Sequence, residues 1–134
     1  MTRPYTILVV DDEPDFVESI HDLLRREFKV LGTTSPVEAL RLLENHEIHV
    51  VLVDQRMLVM SGINLLRRIR SEYPRVSRLL TCALYDDDEA VRRAYGIGRD
   101  EEDLFRYAIK RNPDGLVAAV RLAAQRYEQL REDD

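Results

Sequence analysis

A doubly wound α/β fold, with one open parallel sheet of five strands and helices on both faces, is predicted by three observations. Short apolar runs alternate with segments of helical spacing along the chain. The runs are unbroken rather than alternating apolar and polar, as strands buried on both faces require. The length of 134 residues suits one domain, spanning 1–134, with a core that needs no disulfide or metal staple.

The elements follow in order. Tyr5 to Val10 (YTILVV) is the first strand. Phe16, Ile20, Leu23 and Leu24 have the spacing of a first helix. Phe28 to Thr33 is the second strand, and Ser35-Pro36-Val37-Glu38 opens the second helix as a capping box with proline at its first position. His49 to Val53 is the third strand. Ser61 caps a third helix carrying Ile63, Leu66, Ile69 and Tyr73, and Pro74 follows it. Val76 to Ala83 reads as the fourth strand, and Asp86 to Glu89 opens the fourth helix with acids where the helix dipole favours them. Tyr95 to Asp103 is a long acidic connection, expected to be a solvated loop. Leu104 to Ile109 is a weaker fifth strand, and Asn112-Pro113 begins a last helix reaching about residue 131. Leu116, Val120, Ala123, Tyr127 and Leu130 repeat there at heptad spacing, which suits covering the sheet first and a dimerising or connecting helix second.

Composition narrows the function. The chain is 45% hydrophobic and 34% charged, as a globular domain is, and its net charge of -5 argues against nucleic acid or a membrane surface as partner. The lone cysteine, Cys82, cannot form an internal disulfide, and no opening run is long enough for a signal or a span, so a cytoplasmic location is expected. Only Lys29 and Lys110 are lysines, against eighteen arginines.

Ligand sites of open parallel sheets lie at the carboxyl ends of the strands. Asp11, Asp12 and Glu13 follow the first strand, Asp54 the third, Thr81 closes the fourth and Lys110 the fifth. Each has a structural explanation alone, because acids cap helices, threonine favours strands and lysine is usually solvated. Their coincidence on one sheet edge favours a shared site. Three neighbouring carboxylates repel and need a cation, and hard oxygen donors suit Mg2+, with Mn2+ an alternative. A hydroxyl and an ammonium opposite would hold phosphoryl oxygens while a central Asp54 acts as nucleophile. No His/Cys cluster suits zinc, since His21, His46 and His49 lie in or beside the first two helices.

These residues resemble the receiver domain of two-component response regulators, over nearly the whole chain. The matching segments are Ile7 to Pro14 (ILVVDDEP), Val53 to Gly62 (VDQRMLVMSG), Leu80-Thr81 and Tyr107 to Lys110 (YAIK). The resemblance implies a flavodoxin-like (βα)5 fold with strand order 2-1-3-4-5. It implies Asp54 as phosphoacceptor, with Asp12, Asp54 and the Arg56 carbonyl as Mg2+ ligands and Asp11 on a metal-bound water. Thr81 would be the switch hydroxyl, Tyr107 the aromatic switch residue and Lys110 the phosphate-binding lysine. The implied donor is a sensor histidine kinase or phosphotransfer protein. The implied output is the surface of the fourth helix, fifth strand and fifth helix, acting on an effector protein or domain or through a homodimer. Such a domain catalyses only its own phosphotransfer and dephosphorylation.

The departures are specific. Leu58 and Arg111 stand where the family usually has proline, and the latter implies a trans Lys110–Arg111 bond with a reshaped loop, or retained strain. Cys82 replaces a small residue and is expected to narrow access to the site. A phosphorylation-independent interaction module is the alternative function. A phosphatase of the haloacid dehalogenase type needs an acid two residues after its nucleophile, where this chain has Arg56.

Overall fold

The computed structural model describes residues 4–132, so residues 1–3 and 133–134 of the expected domain lie outside the described residues. Its elements are β1 (Thr6–Val10), α1 (Pro14–Leu24), β2 (Lys29–Thr33), α2 (Pro36–Asn45), β3 (Val50–Asp54), α3 (Gly62–Glu72), β4 (Ser77–Cys82), α4 (Asp88–Ala94), β5 (Arg106–Ile109) and α5 (Pro113–Glu132). All strand pairs are parallel, in the order β2-β1-β3-β4-β5, so the expected flavodoxin-like topology is present.

The unbroken apolar runs form the centre of the sheet. Every residue of β1, β3 and β4 is buried. Successive side chains alternate between the faces. Leu8, Val10, Val51, Val53, Leu80 and Cys82 meet the core shared with α2, α3 and α4. Ile7, Val9, Leu52 and Leu79 meet the core shared with α1 and α5. Cys82 is therefore a core side chain; it does not narrow the approach to Asp54 and Thr81, which lie on the opposite parity.

Helix starts follow their sequence signals, except that the Ser35 N–H donates to Thr33 Oγ1 at 3.0 Å, so Glu38 does not complete the expected capping box. Ser35 Oγ accepts the Glu38 N–H at 3.2 Å, Ser61 Oγ accepts the Asn64 N–H at 3.2 Å, and Asp87 Oδ1 accepts the Ala90 N–H at 2.8 Å. Gly96, at φ 66°, lets the Ile97 N–H return to the Arg92 carbonyl at 2.9 Å and close α4. His49 precedes β3 instead of beginning it; its Nδ1 accepts the Thr6 N–H at 2.9 Å, and its ring meets Tyr5 and Tyr127 edge-on.

One expectation is corrected, and the first reading of the last helix is the one observed. The stretch from Tyr95 to Asp103 is more than a solvated loop: it contains a 3₁₀ turn, Arg99–Glu101, fastened to the body by arginines. Arg67 grips Glu101 through two hydrogen bonds of 2.7 and 3.0 Å, and Arg92 reaches the carbonyls of Glu101, Glu102 and Phe105. The heptad stripe of α5 is buried within the protomer at Leu116, Val120 and Ala123, and Tyr127 continues it against His49. The stripe therefore covers the sheet; the exposed large apolar residue of α5 is Leu122, off the stripe.

Candidate functional site

The topology brings four strand ends to one edge. Asp11 follows β1, Asp54 ends β3 and sits in register with Thr81 of β4, and Lys110 follows β5. Ligand oxygens of Asp11, Asp12 and Asp54 all lie within 4.8 Å of one another. Asp11 and Asp54 are buried, Asp12 half-buried, and Thr81, paired with Asp54 across the sheet, is 1% exposed.

Lys110 reaches into this acidic group. Its Nζ is 2.9 Å from Asp11 Oδ2, 3.6 Å from Asp54 Oδ1 and 3.5 Å from Glu13 Oε1. It also stands over the Phe16 ring, 4.3 Å from the centroid. The sequence placed Phe16 on the apolar face of α1, but nothing in that periodicity pointed to a lysine from the far end of the chain. The Lys110–Arg111 bond is trans, the first of the two alternatives.

The electrostatics follow from burial and crowding. Burial pushes the Asp54 carboxyl up to about 6, helped by the Asp11 charge and opposed by Lys110. Burial also raises Asp11, against the Glu13 N–H and Lys110. For Lys110, burial lowers the pKa, but the Asp11 carboxylate, with Asp54 and Glu13, outweighs it and holds the ammonium above its usual range. Asp11 Oδ2 is buried without a well-aligned hydrogen bond, Lys110 being its close neighbour. Clustered hard oxygens with one such atom fit a small divalent cation. Arg56 points its side chain to solvent, and its backbone N–H bonds the Asp54 carboxylate.

The loop after β3 is held by residues whose part is not evident from residue type. Gln55 is buried, its Oε1 accepting the Ile63 N–H at 2.8 Å and its N–H donating to the Thr81 carbonyl at 2.9 Å. Gly62 packs so closely that a Cβ there would stand 2.4 Å from the Asp54 carbonyl oxygen. A polar residue directly after a buried strand was the available signal for Gln55. Leu58 and Val59, at the tip, are 95% and 77% exposed.

Tyr107 lies away from the carboxylates. Its hydroxyl meets the carbonyls of Cys82, at 3.0 Å, and Tyr85. Burial, with nearby Cys82, Asp86 and Asp87, pushes its pKa up to about 12. Tyr107 lines a groove of about 590 Å³ between α4, β5 and α5, with Asp86, Arg106, Ile109, Leu122 and Arg126 on its walls.

The response regulator receiver domain model matches residues 7–121. The chain is 34% identical over 130 residues to the hydrogenase transcriptional regulatory protein HoxA of Bradyrhizobium diazoefficiens, covering 96% of this chain and 26% of that protein. It is 32% identical to the HoxA of Cupriavidus necator, covering 90% of this chain and 24% of that one. It thus spans about a quarter of the length of these relatives. A response regulator receiver domain protein from Clostridium thermocellum superposes with a TM-score of 0.78 at 31% identity, over 94% of this chain and 98% of that one.

Proposed function

Because the chain belongs to the response regulator receiver domain family, we propose that it accepts a phosphoryl group on Asp54 and changes its α4-β5-α5 surface in response. The observation that carries this reading is the meeting of Asp11, Asp12, Asp54 and Lys110 at the strand ends, with oxygens within 4.8 Å of one another and the ammonium 3.6 Å from Asp54.

The chemistry is an in-line displacement. An Asp54 carboxylate oxygen attacks phosphorus as the phosphorus–nitrogen bond of a donor phosphohistidine breaks, and the leaving imidazole takes a proton. Lys110 and the Thr81 hydroxyl receive phosphoryl oxygens. Asp11, Asp12, Asp54 and the Arg56 carbonyl would hold Mg2+, or Mn2+ in its place; when bound it neutralises charge between carboxylate and phosphoryl group. The domain acts only on its own phosphorylation state.

Output follows from Thr81 and Tyr107 lying on adjacent strands. A phosphoryl group drawing Thr81 toward Asp54 makes room at the end of β4, and Tyr107, anchored on the Cys82 and Tyr85 carbonyls, couples that end to the groove. The donor is a sensor histidine kinase or phosphotransfer protein, and the receiver of the signal is an effector protein or domain. The transcriptional regulatory names of the two longer relatives favour transcriptional output.

The test is the intact mass after incubation with Mg2+ and acetyl phosphate. The wild type gains one phosphate, and Asp54→Asn does not. An unmodified wild type, while a control receiver is modified, refutes the reading.

A further inference from the structure

Lys110 must hold its ammonium at one point in space, yet a lysine side chain is a flexible four-carbon stem that loses much rotamer freedom when fixed. Three of its contacts are carboxylates: Asp11, Asp54 and Glu13. Those partners change in the proposed reaction. A divalent cation draws on the charge of Asp11 and Asp54, and phosphorylation converts the Asp54 carboxylate to an acyl phosphate. The Phe16 ring, 4.3 Å from Nζ, is the fourth contact. It attracts a cation through its quadrupole, ligates no metal and carries no charge to repel a phosphoryl group.

Local structure puts the ring there. Pro14 begins α1, so Phe16 lies in its first turn, with its N–H on the Glu13 carbonyl at 3.1 Å. Helical side chains lean toward the helix N-terminus, which here is the acidic edge. Phe16 is half-buried against the core shared by α1 and α5, so its ring has a fixed backing. Lys110, only 13% exposed in its side chain, is enclosed between that ring and the carboxylates.

We propose that Phe16 is a positioning residue for phosphoryl transfer, its ring face holding the Lys110 ammonium in place while the carboxylates exchange partners. This rests on the reading of Asp54 as phosphoacceptor and adds a residue to it.

Two measurements test it separately. The chain has only two lysines, and Lys29 is exposed, so lysine labelled with carbon-13 at Cε yields one probe and one internal reference. The Lys110 Hε signals should lie upfield of those of Lys29 through the ring current and lose that shift in Phe16→Leu. Signals of Lys110 that already match Lys29 in the wild type overturn the proposal. The second measurement is the rate of phosphorylation by acetyl phosphate, read by intact mass. Site-specific replacement of Phe16 by increasingly fluorinated phenylalanines, which drain the ring quadrupole while keeping its shape, should slow the reaction stepwise. The pentafluoro ring should cost roughly threefold to tenfold, and Phe16→Tyr should remain near wild type. An unchanged rate across the fluorinated series overturns the proposal, because a merely structural ring would tolerate it. A wild type that shows the upfield signals yet never gains phosphate refutes the phosphoacceptor reading and leaves the aromatic seat of Lys110 standing.

Discussion

In the proposed reaction Asp54 carries two burdens that pull in opposite directions: it must be ionised to attack, and its surroundings disfavour ionisation. Its pKa of about 6, raised by burial and by Asp11, lies above the unfolded value of ~3.9. The folded protein therefore binds more protons than the unfolded chain between roughly pH 4 and pH 6, and stability falls as pH rises through that window. A shift of this size is worth on the order of 3 kcal/mol at most, Asp11 adding in the same direction. In divalent-free buffer, thermal unfolding should be higher at pH 5 than at pH 7.5. Asp54→Asn should flatten that difference and raise Tm at pH 7.5 by several degrees. A Tm that falls on this substitution, or an unchanged pH slope, would show that the carboxylates do not strain the site.

At the scale of elements, the connection between α4 and β5 has an unexpected anchor in Arg78. This buried β4 residue donates to the carbonyls of Leu104 at 2.9 Å, Asp103 at 2.7 Å, Val76 at 2.8 Å and Pro74 at 3.3 Å. Burial pulls its pKa down to about 10, so it stays charged at neutral pH. Arg78→Met keeps the stem but removes all four of those hydrogen bonds, and should cost about 2–4 kcal/mol in urea unfolding. A loss below 0.5 kcal/mol would mean that water replaces the guanidinium. Arg92, stacked 4.6 Å from the Phe105 centroid, ties the same connection to α4. Any displacement of α4 in the proposed switching must therefore carry or break these bonds.

These elements also mark where sequence reading ends. The strands of the sheet were legible because Ile7 to Val10 and Val50 to Val53 are buried on both sides and need no partner to be recognised. The caps at Ser35 and Ser61, and the acidic start of α4, were legible because they act within one turn. The arginine clasp was not, since Arg67, Arg78 and Arg92 look like any surface arginine until the chain folds. Within the site, the acids and Lys110 were found by their places at strand ends, whereas Phe16 and Gln55 owe their parts to contacts set by tertiary structure. Cys82 was misread for a related reason: strand parity, rather than position in the motif, sends its side chain into the core.

For the whole molecule, the strand order places β1, β3, β4 and β5 side by side, so one edge gathers chemistry from residues 11 to 110 of the chain. A divalent cation held as proposed by Asp11, Asp12 and Asp54 would link the ends of β1 and β3 and should stabilise only the folded state. Mg2+ at 100 times its Kd should add about 2.7 kcal/mol, seen as a Tm rising with Mg2+ concentration at pH 7.5. The rise should vanish in Asp12→Ala; a similar rise in that variant would place the ion elsewhere.

The proposed phosphoacceptor is tested most directly by locating the modified residue. After incubation with Mg2+ and acetyl phosphate, borohydride reduction converts an aspartyl phosphate to homoserine, which peptide mass spectrometry can place in the sequence. Homoserine at position 54 alone is the expected result. Conversion at another carboxylate, or none in a protein that binds Mg2+, would contradict the assignment of Asp54.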